Sequence, residues 1–420
     1  MKKVSIKFKP LLALFLALST ISCNQSTQQT QSKDLTSVQK AEKFSEFLGL
    51  GWNLGNNMDA YEPRESELPI SEETLWGNEK ATQQTFNNVK KLGFKSVRIP
   101  ITWLGHIGEA PDYKIDEIFL NRVAELVNFA KNAGLNTIIN IHHDGYSSRF
   151  WLNINKAVAD SIENENIKNK ISSVWKQIAE KFKNEGEYLI FEAFNEIQDG
   201  KWGSGDNLTD GGKQYNILNE WNQVFVDAVR SVGGENSNRY LGVPAYSTSP
   251  NLAKFLVLPK DNVEGKIAVS VHCYDPFLYC IEAKFSQWGH TAIDSLSFNN
   301  HNEKVLEETF AQLNSDFIQK GIPVYLGEFG NVNREDSVEF LFQKYYLEYF
   351  CRLANIYHIS PFYWDNGYCK TGNDQFGLLN HSNGEPQGYG SELIDLMKNA
   401  FYNSDTTYSL ISIYNKAPNF

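Results

Sequence analysis

The 420-residue sequence has no internal apolar stretch of the ~20 residues that a membrane-spanning helix needs. It has no cationic surplus either: 39 Lys and Arg stand against 50 Asp and Glu, a formal charge of −11, which argues against a nucleic-acid partner. It lacks CxxC pairs, HExxH and any other metal-ligand spacing, so neither a metal nor a cofactor is expected. No GxGxxG follows the first strand-like run, which removes the fingerprint of an open dinucleotide-binding sheet. Internal repeats are absent. Cysteine is scarce: beyond Cys23 there are Cys273, Cys280, Cys351 and Cys369, whose pairing spacing does not decide, with free buried thiols as the alternative.

What is present begins with an export signal. MKKVSIKFK is basic, LLALFLAL is apolar and STISC follows, the order of a signal peptide. Cys23 stands where bacterial lipoprotein signals place the lipidated cysteine; a secreted protein cut nearby is the alternative. The Ser/Gln/Asn-rich piece 24–31 reads as a flexible tether. The expected organisation is a signal peptide over 1–22, a tether over 23–40, one domain over 41–405 and a tail over 406–420. The mature protein is expected to be exported and monomeric, lipid-anchored in the outer membrane, at the cell surface or in the periplasm. Any membrane contact would be through that anchor alone.

From Leu48 onward the chain alternates short apolar runs with amphipathic ones. Strands are expected in GLGWNLG (49–55), SVRIPI (96–101), NTIINIHH (136–143) and YLIFEAFN (188–195). Four more are expected in RYLGVPAY (239–246), KIAVSVHCY (266–274), PVYLGEFG (323–330) and SPFYWDN (360–366). Segments such as FLNRVAELVNFAKNAG, NKISSVWKQIAEKFKN and EKVLEETFAQLNSDFIQKG carry apolar residues three and four apart, the period of one helix face. Gly134 and Gly321 suit left-handed helix ends. Eight such units predict an α/β fold, a (β/α)8 TIM barrel, with an open doubly wound sheet as the rival. Long loops after the fourth strand (199–212) and after the sixth (276–303) would lie on the barrel's functional face.

In a barrel, polar and aromatic groups, most of them ionisable, gather at the C-terminal ends of these strands: Arg98, His142, His143, Asn195, Glu196, His272, Tyr274, Glu328 and Trp364. Each alone has a structural reading, as an ion-pair former, a satisfied histidine or a core tryptophan. Together on one rim they describe an active site. Side chains alternate along a strand, so His272 and Tyr274 share a face while Cys273 points away. Asn195 and Glu196 are adjacent, and a bend or bulge is expected to aim both inward. Two facing carboxyls suit glycoside hydrolysis, one a protonated acid and the other an anion. Trp52, Trp103, Trp151, Trp202, Trp288 and Trp364 are candidate platforms for sugar rings.

The stretches GWNLGNNMDAY, FKSVRIPITW, INIHHD, FEAFNE, VSVHCYDP, YLGEFG and FYWDNG, in this order from Gly51 to Leu379, resemble glycoside hydrolase family five, the family of many bacterial endoglucanases. WGN near Trp76 and FGLL at 376–379 resemble its subfamily four. The resemblance implies a retaining endoglucanase acting on β-1,4-glucans: cellulose, mixed-linkage glucan or xyloglucan. It assigns the acid/base to Glu196 and the nucleophile to Glu328. It implies that Asn195 holds the sugar 2-hydroxyl and that Arg98 and Tyr274 orient Glu328. His272 would contact Glu196 or the substrate. His142, His143 and Trp364 would bind the sugar, with Asn53 and Asn56 as further glucan contacts. Where the family often has Pro after the acid/base, this chain has Ile197, which affects the local loop rather than the chemistry. A mannanase or xylanase using the same pair, or a non-catalytic surface glycan-binding lipoprotein, are the alternatives.

Overall fold

The computed structural model describes residues 36–62, 70–145, 150–202, 212–298 and 303–419. Cys23, the signal segment and the Ser/Gln/Asn-rich piece lie outside the described residues.

Each expected run holds one short strand: β1 Gly51–Leu54, β2 Ser96–Ile99, β3 Asn136–Asn140, β4 Leu189–Glu192, β5 Leu241–Pro244, β6 Ile267–Cys273, β7 Val324–Phe329 and β8 Ser360–Asp365. All pair in parallel, and β1 bonds both β2 and β8, so the sheet closes into a barrel and the open-sheet rival is excluded. The strands are almost wholly buried, because helices cover the outside and side chains fill the inside. Gly51 shows how tightly: a Cβ there would lie 2.2 Å from the Phe362 ring.

The outer helices follow from amphipathic period and caps. Glu117–Ala133 starts where the Asp116 carboxylate accepts the Ile118 and Phe119 N–H groups, and it ends at Gly134 with φ 74°. Ser161–Lys181 buries Ile167, Ile171, Val174, Trp175 and Ile178 on one stripe. The last of the three predicted helical segments is shorter than expected. The helix stops at Asp316, and Gly321 caps a separate 3-10 turn, Ile318–Lys320.

The start of the domain needs correction. The stretch 37–40, expected in the tether, is the first turn of a helix, Ser37–Leu48, opened by a Thr36/Gln39 capping box. Phe44 and Leu48 of that helix pack with Ile138, Ile190, Ala268, Tyr325 and Phe362, and so close the floor of the barrel. At the other end, the C-terminal tail packs on the barrel. Ile413 is buried, Tyr414 stacks on His290 at 3.6 Å, and the Tyr408 hydroxyl donates to Glu348. Cys273, Cys280 and Cys351 are buried free thiols and Cys369 is an exposed one.

Candidate active site

The site lies where the strands deliver their last residues. β4 ends at Glu192, three residues before the expected end. Asn195 N–H then bonds the Ile141 carbonyl at 2.9 Å, and Ile197 N–H closes a three-residue turn onto the Asn195 carbonyl at 3.2 Å. This turn, not a bulge, frees Asn195 and Glu196 from strand alternation. Register irregularities sit instead in β8, between Pro361 and Tyr363, and in β6, between Val271 and His272, where the shift leaves His272 opposite Glu328 of β7.

Carboxylate oxygens of Glu196 and Glu328 and a ring nitrogen of His272 lie within 4.8 Å of one another. The two acids reach this opening from different elements: the Glu196 side chain is 21% exposed and that of Glu328 7%. Their surroundings differ. Arg98 Nη1 donates to Glu328 Oε1 at 2.8 Å and the Tyr274 hydroxyl to Oε2 at 2.9 Å. Glu196 faces neutral partners: His272 Nδ1 lies 2.8 Å from Oε1 and the Thr248 hydroxyl 3.5 Å from the same atom. Oε2 has no hydrogen bond among the described residues and faces the opening.

Protonation follows from this asymmetry. Burial pushes the Glu196 carboxyl up to about 7, with the Arg98 charge opposing. Burial raises Glu328 as well, but there His272 and the charged, hydrogen-bonded Arg98 pull back. Since two acids this close do not both ionise easily, the proton rests on Glu196 and the charge on Glu328. Burial lowers His272 to about 4, so its ring is neutral. Its Nε2 is buried without a partner and sits against Gly327, where a Cβ would be 2.9 Å away. A bare lone pair there costs less than an unpaired N–H, so Nδ1 carries the proton and donates to Glu196 Oε1.

Beneath the opening is a polar layer. Arg98 Nε donates to Glu192 Oε2 at 2.7 Å, its Nη2 to Asn195 Oδ1 at 2.8 Å and its Nη1 also to Asn53 Oδ1 at 3.0 Å. Ser270 completes it by donating to Glu192 Oε1 at 2.9 Å. Burial opposes the Arg98 charge, but Glu192 and Glu328 outweigh it and hold the guanidinium positive. With Oδ1 of Asn195 occupied, its amide N–H groups are left for a ligand.

One expected glucan contact is corrected here. Asn53 is fully buried, its amide donating to the Gly327 carbonyl at 2.9 Å, and it props Arg98 rather than meeting the sugar. Arg98 is fully buried too, and acts through Glu328 and Asn195. Asn56 is nearly buried at a left-handed φ of 56°, its N–H bonded to Asp59. Of the tryptophans, Trp52, Trp103 and Trp288 are core residues with no exposure to offer a sugar.

His142 and Trp364 lie parallel, interplanar angle 2°, with ring centroids 6.0 Å apart. Asn140 Oδ1 accepts the Ile101 N–H, which turns its amide nitrogen to His142 Nδ1 at 3.1 Å. Nδ1 is therefore an acceptor, and the His142 proton sits on Nε2, which points to Glu328 Oε1 at 3.9 Å. Burial keeps this ring neutral and lowers His143 to about 3. His143 Nε2 stands 3.8 Å from Asp59, whose buried carboxyl is pushed up to about 7. Asp59, His142 and His143 are close enough to suggest a metal. Ligation through Nε2 would force a proton onto His142 Nδ1, against the Asn140 amide, so the donor set does not fit one.

Glu192, Ser270, Asp59, and the rim aromatics Tyr61 and Trp76 were missed by sequence reasoning as site residues. The signal for Glu192 was available: a carboxylate inside an apolar strand needs a buried cation.

One oxygen of each acid lies within 4.8 Å of the other, short of the about 6.5–9.5 Å that an inverting pair of carboxyls keeps. Residues 58–370 match the family model described as Cellulase (glycosyl hydrolase family 5). The chain belongs to glycosyl hydrolase family 5. It is 33% identical over 402 residues to Endoglucanase A of Paenibacillus barcinonensis, covering 91% of this chain and 96% of that one. Among solved structures it resembles a Bacteroidetes-affiliated family 5 cellulase linked with a polysaccharide utilization locus, with 47% identity, TM-score 0.87 and coverage of 90% and 98%. It also resembles a broad-specificity endoglucanase of subfamily 4 from Bacteroides salanitronis, with 50% identity, TM-score 0.83 and coverage of 88% and 96%. A family 5 xyloglucanase from Paenibacillus pabuli is 35% identical, with TM-score 0.77 and coverage of 85% and 99%.

Proposed function

We propose that this family 5 member is an endo-β-1,4-glucanase that cleaves by double displacement with retention. The observation that carries the reading is the carboxylate pair within 4.8 Å, with the charge stabilised on one acid and the proton on the other. Retention needs the carboxyls about 5–5.5 Å apart, whereas inversion needs about 6.5–9.5 Å to admit a water.

The sugar at the cleavage point rests on Trp364, with His142 Nε2–H and the Asn195 amide donating to its hydroxyls. Glu328 attacks the anomeric carbon as Glu196 Oε2 protonates the departing glycosidic oxygen. The Arg98 and Tyr274 hydrogen bonds keep Glu328 anionic until the ester forms. Glu196, now ionised, takes a proton from water, which attacks the ester and releases Glu328. His272 holds Glu196 by Oε1 throughout, leaving Oε2 for both proton transfers.

The polymer range includes mixed-linkage glucan and xyloglucan, a reading supported by relatives of broad specificity and by the xyloglucanase. Purified enzyme is assayed on carboxymethyl cellulose, lichenan, xyloglucan, mannan and xylan, and fresh product is followed by proton NMR. The expected result is β-glucan cleavage with β-anomer appearing first. Cleavage of mannan or xylan alone, α-anomer first, or binding without hydrolysis would each overturn it. The chain acts as an exported, lipid-anchored monomer in this reading, which rests on the basic–apolar–Cys23 order. Cys23→Ser is expected to move it from the membrane to the soluble fraction.

A further inference from the structure

A second feature lies beside the catalytic opening. A cleft of about 360 Å³ opens between the loop after β2, the segment starting at Phe150 and the helix Ser161–Lys181. Its walls include the part-exposed rings of Tyr113 and Trp151, and Glu163 and Asn166 stand at its edge. Lys170 lies between the rings, its Nζ 4.8 Å from the Trp151 centroid and 5.7 Å from that of Tyr113. This ammonium makes no hydrogen bond or ion pair among the described residues, although burial lowers its pKa. Its three N–H donors are thus uncommitted in a cleft walled by aromatic rings. Two further details mark the cleft as built. Tyr113 holds a left-handed φ of 47°, and Trp151 is fixed by donating Nε1 to Asp144 Oδ1 at 2.6 Å.

The cleft wall adjoins the catalytic opening through a run of ring contacts that ends at the buried Phe150. His142, parallel to Trp364, meets His143 at 4.4 Å between centroids. His143 meets Trp76 at 5.6 Å and Tyr61 at 5.4 Å, and Tyr61 meets Phe150 at 5.3 Å. Phe150 lines the cleft. We propose that the cleft is an accessory subsite for the same β-glucan chain, gripping it by ring stacking and by Lys170 donation to hydroxyls. The inference rests on the proposed activity. A sugar suits the cleft because it presents an apolar face to a ring and oxygen acceptors at its edge; an acidic ligand would meet Glu109 and Glu163 as well as the lysine.

The test is kinetic. Tyr113→Ala and Lys170→Met are compared with wild type on polymeric β-glucan and on an aryl cellobioside, too short to leave the catalytic opening. Each variant is expected to raise KM for the polymer about three- to tenfold with kcat unchanged. Activity on the aryl cellobioside is expected to stay at the wild-type value, which also shows that the variants fold. An unchanged polymer KM overturns the inference, and so does an equal loss on both substrates, the mark of a structural role. A wild-type enzyme inert on every β-glucan would instead overturn the activity on which it rests.

Discussion

At the scale of single residues, the site works because two identical side chains are kept in unlike surroundings. Glu328 has a guanidinium and a phenol, while Glu196 has a neutral imidazole and a bare oxygen. Glu196→Ala is expected to lower kcat on polymer about 10²–10⁴-fold, and Glu328→Ala to abolish release of reducing ends. Full activity in either variant would remove that residue's role. The rate needs Glu196 protonated, so kcat/KM should fall as pH rises through about 7. That limb should vanish in a Glu196→Ala enzyme rescued by a substrate needing no acid. Stability carries the same sign. The folded pKa of Glu196 exceeds its ordinary value, so its contribution is complete below pH 4.5 and is lost as pH rises through about 7. Glu196→Gln should therefore gain stability over wild type by on the order of 2 kcal/mol between pH 5 and pH 8, measured by chemical denaturation. No pH dependence in that difference would refute the assignment.

At the scale of the elements, a single strand can serve both the rim and the layer beneath. β4 illustrates both. Glu192 lies inside it, paired with Arg98 of β2, and Asn195 and Glu196 follow on the turn. Glu192→Ala is expected to cost about 3–5 kcal/mol, because it leaves the Arg98 charge buried beside a single carboxylate. Its urea midpoint should fall accordingly, and a midpoint equal to wild type would mean the pair is not structural. The β-runs were legible because apolar stretches bounded by polar ones admit few other readings. Their ends were less so. β4 was expected to reach Asn195 and stops at Glu192, since where a strand lets go depends on the neighbour it bonds. The substrate role expected of Asn53 failed for a related reason. Its residue type suits sugar binding, but its position in β1, opposite Arg98 of β2, turns it under the site.

At the scale of the whole molecule, closure holds these groups together. The helix Ser37–Leu48 caps the floor, and the C-terminal segment clamps the side. Phe44→Ala should cost about 3–5 kcal/mol by opening a cavity among Ile190, Tyr325 and Phe362. A loss under 1 kcal/mol in denaturation would show that the floor repacks or that the helix is dispensable.

The sequence by itself determined the alternation of strand and helix, hence the barrel, and the chemical types at the rim, because local periodicity and residue chemistry are carried by neighbours in the chain. Only the tertiary structure decided which of those residues meet the sugar and which brace the ones that do. Arg98 and Glu192 are 94 positions apart and Arg98 and Glu328 are 230 apart, and such pairs interact strongly enough to set proton affinities only once folding brings them together and removes water from between them.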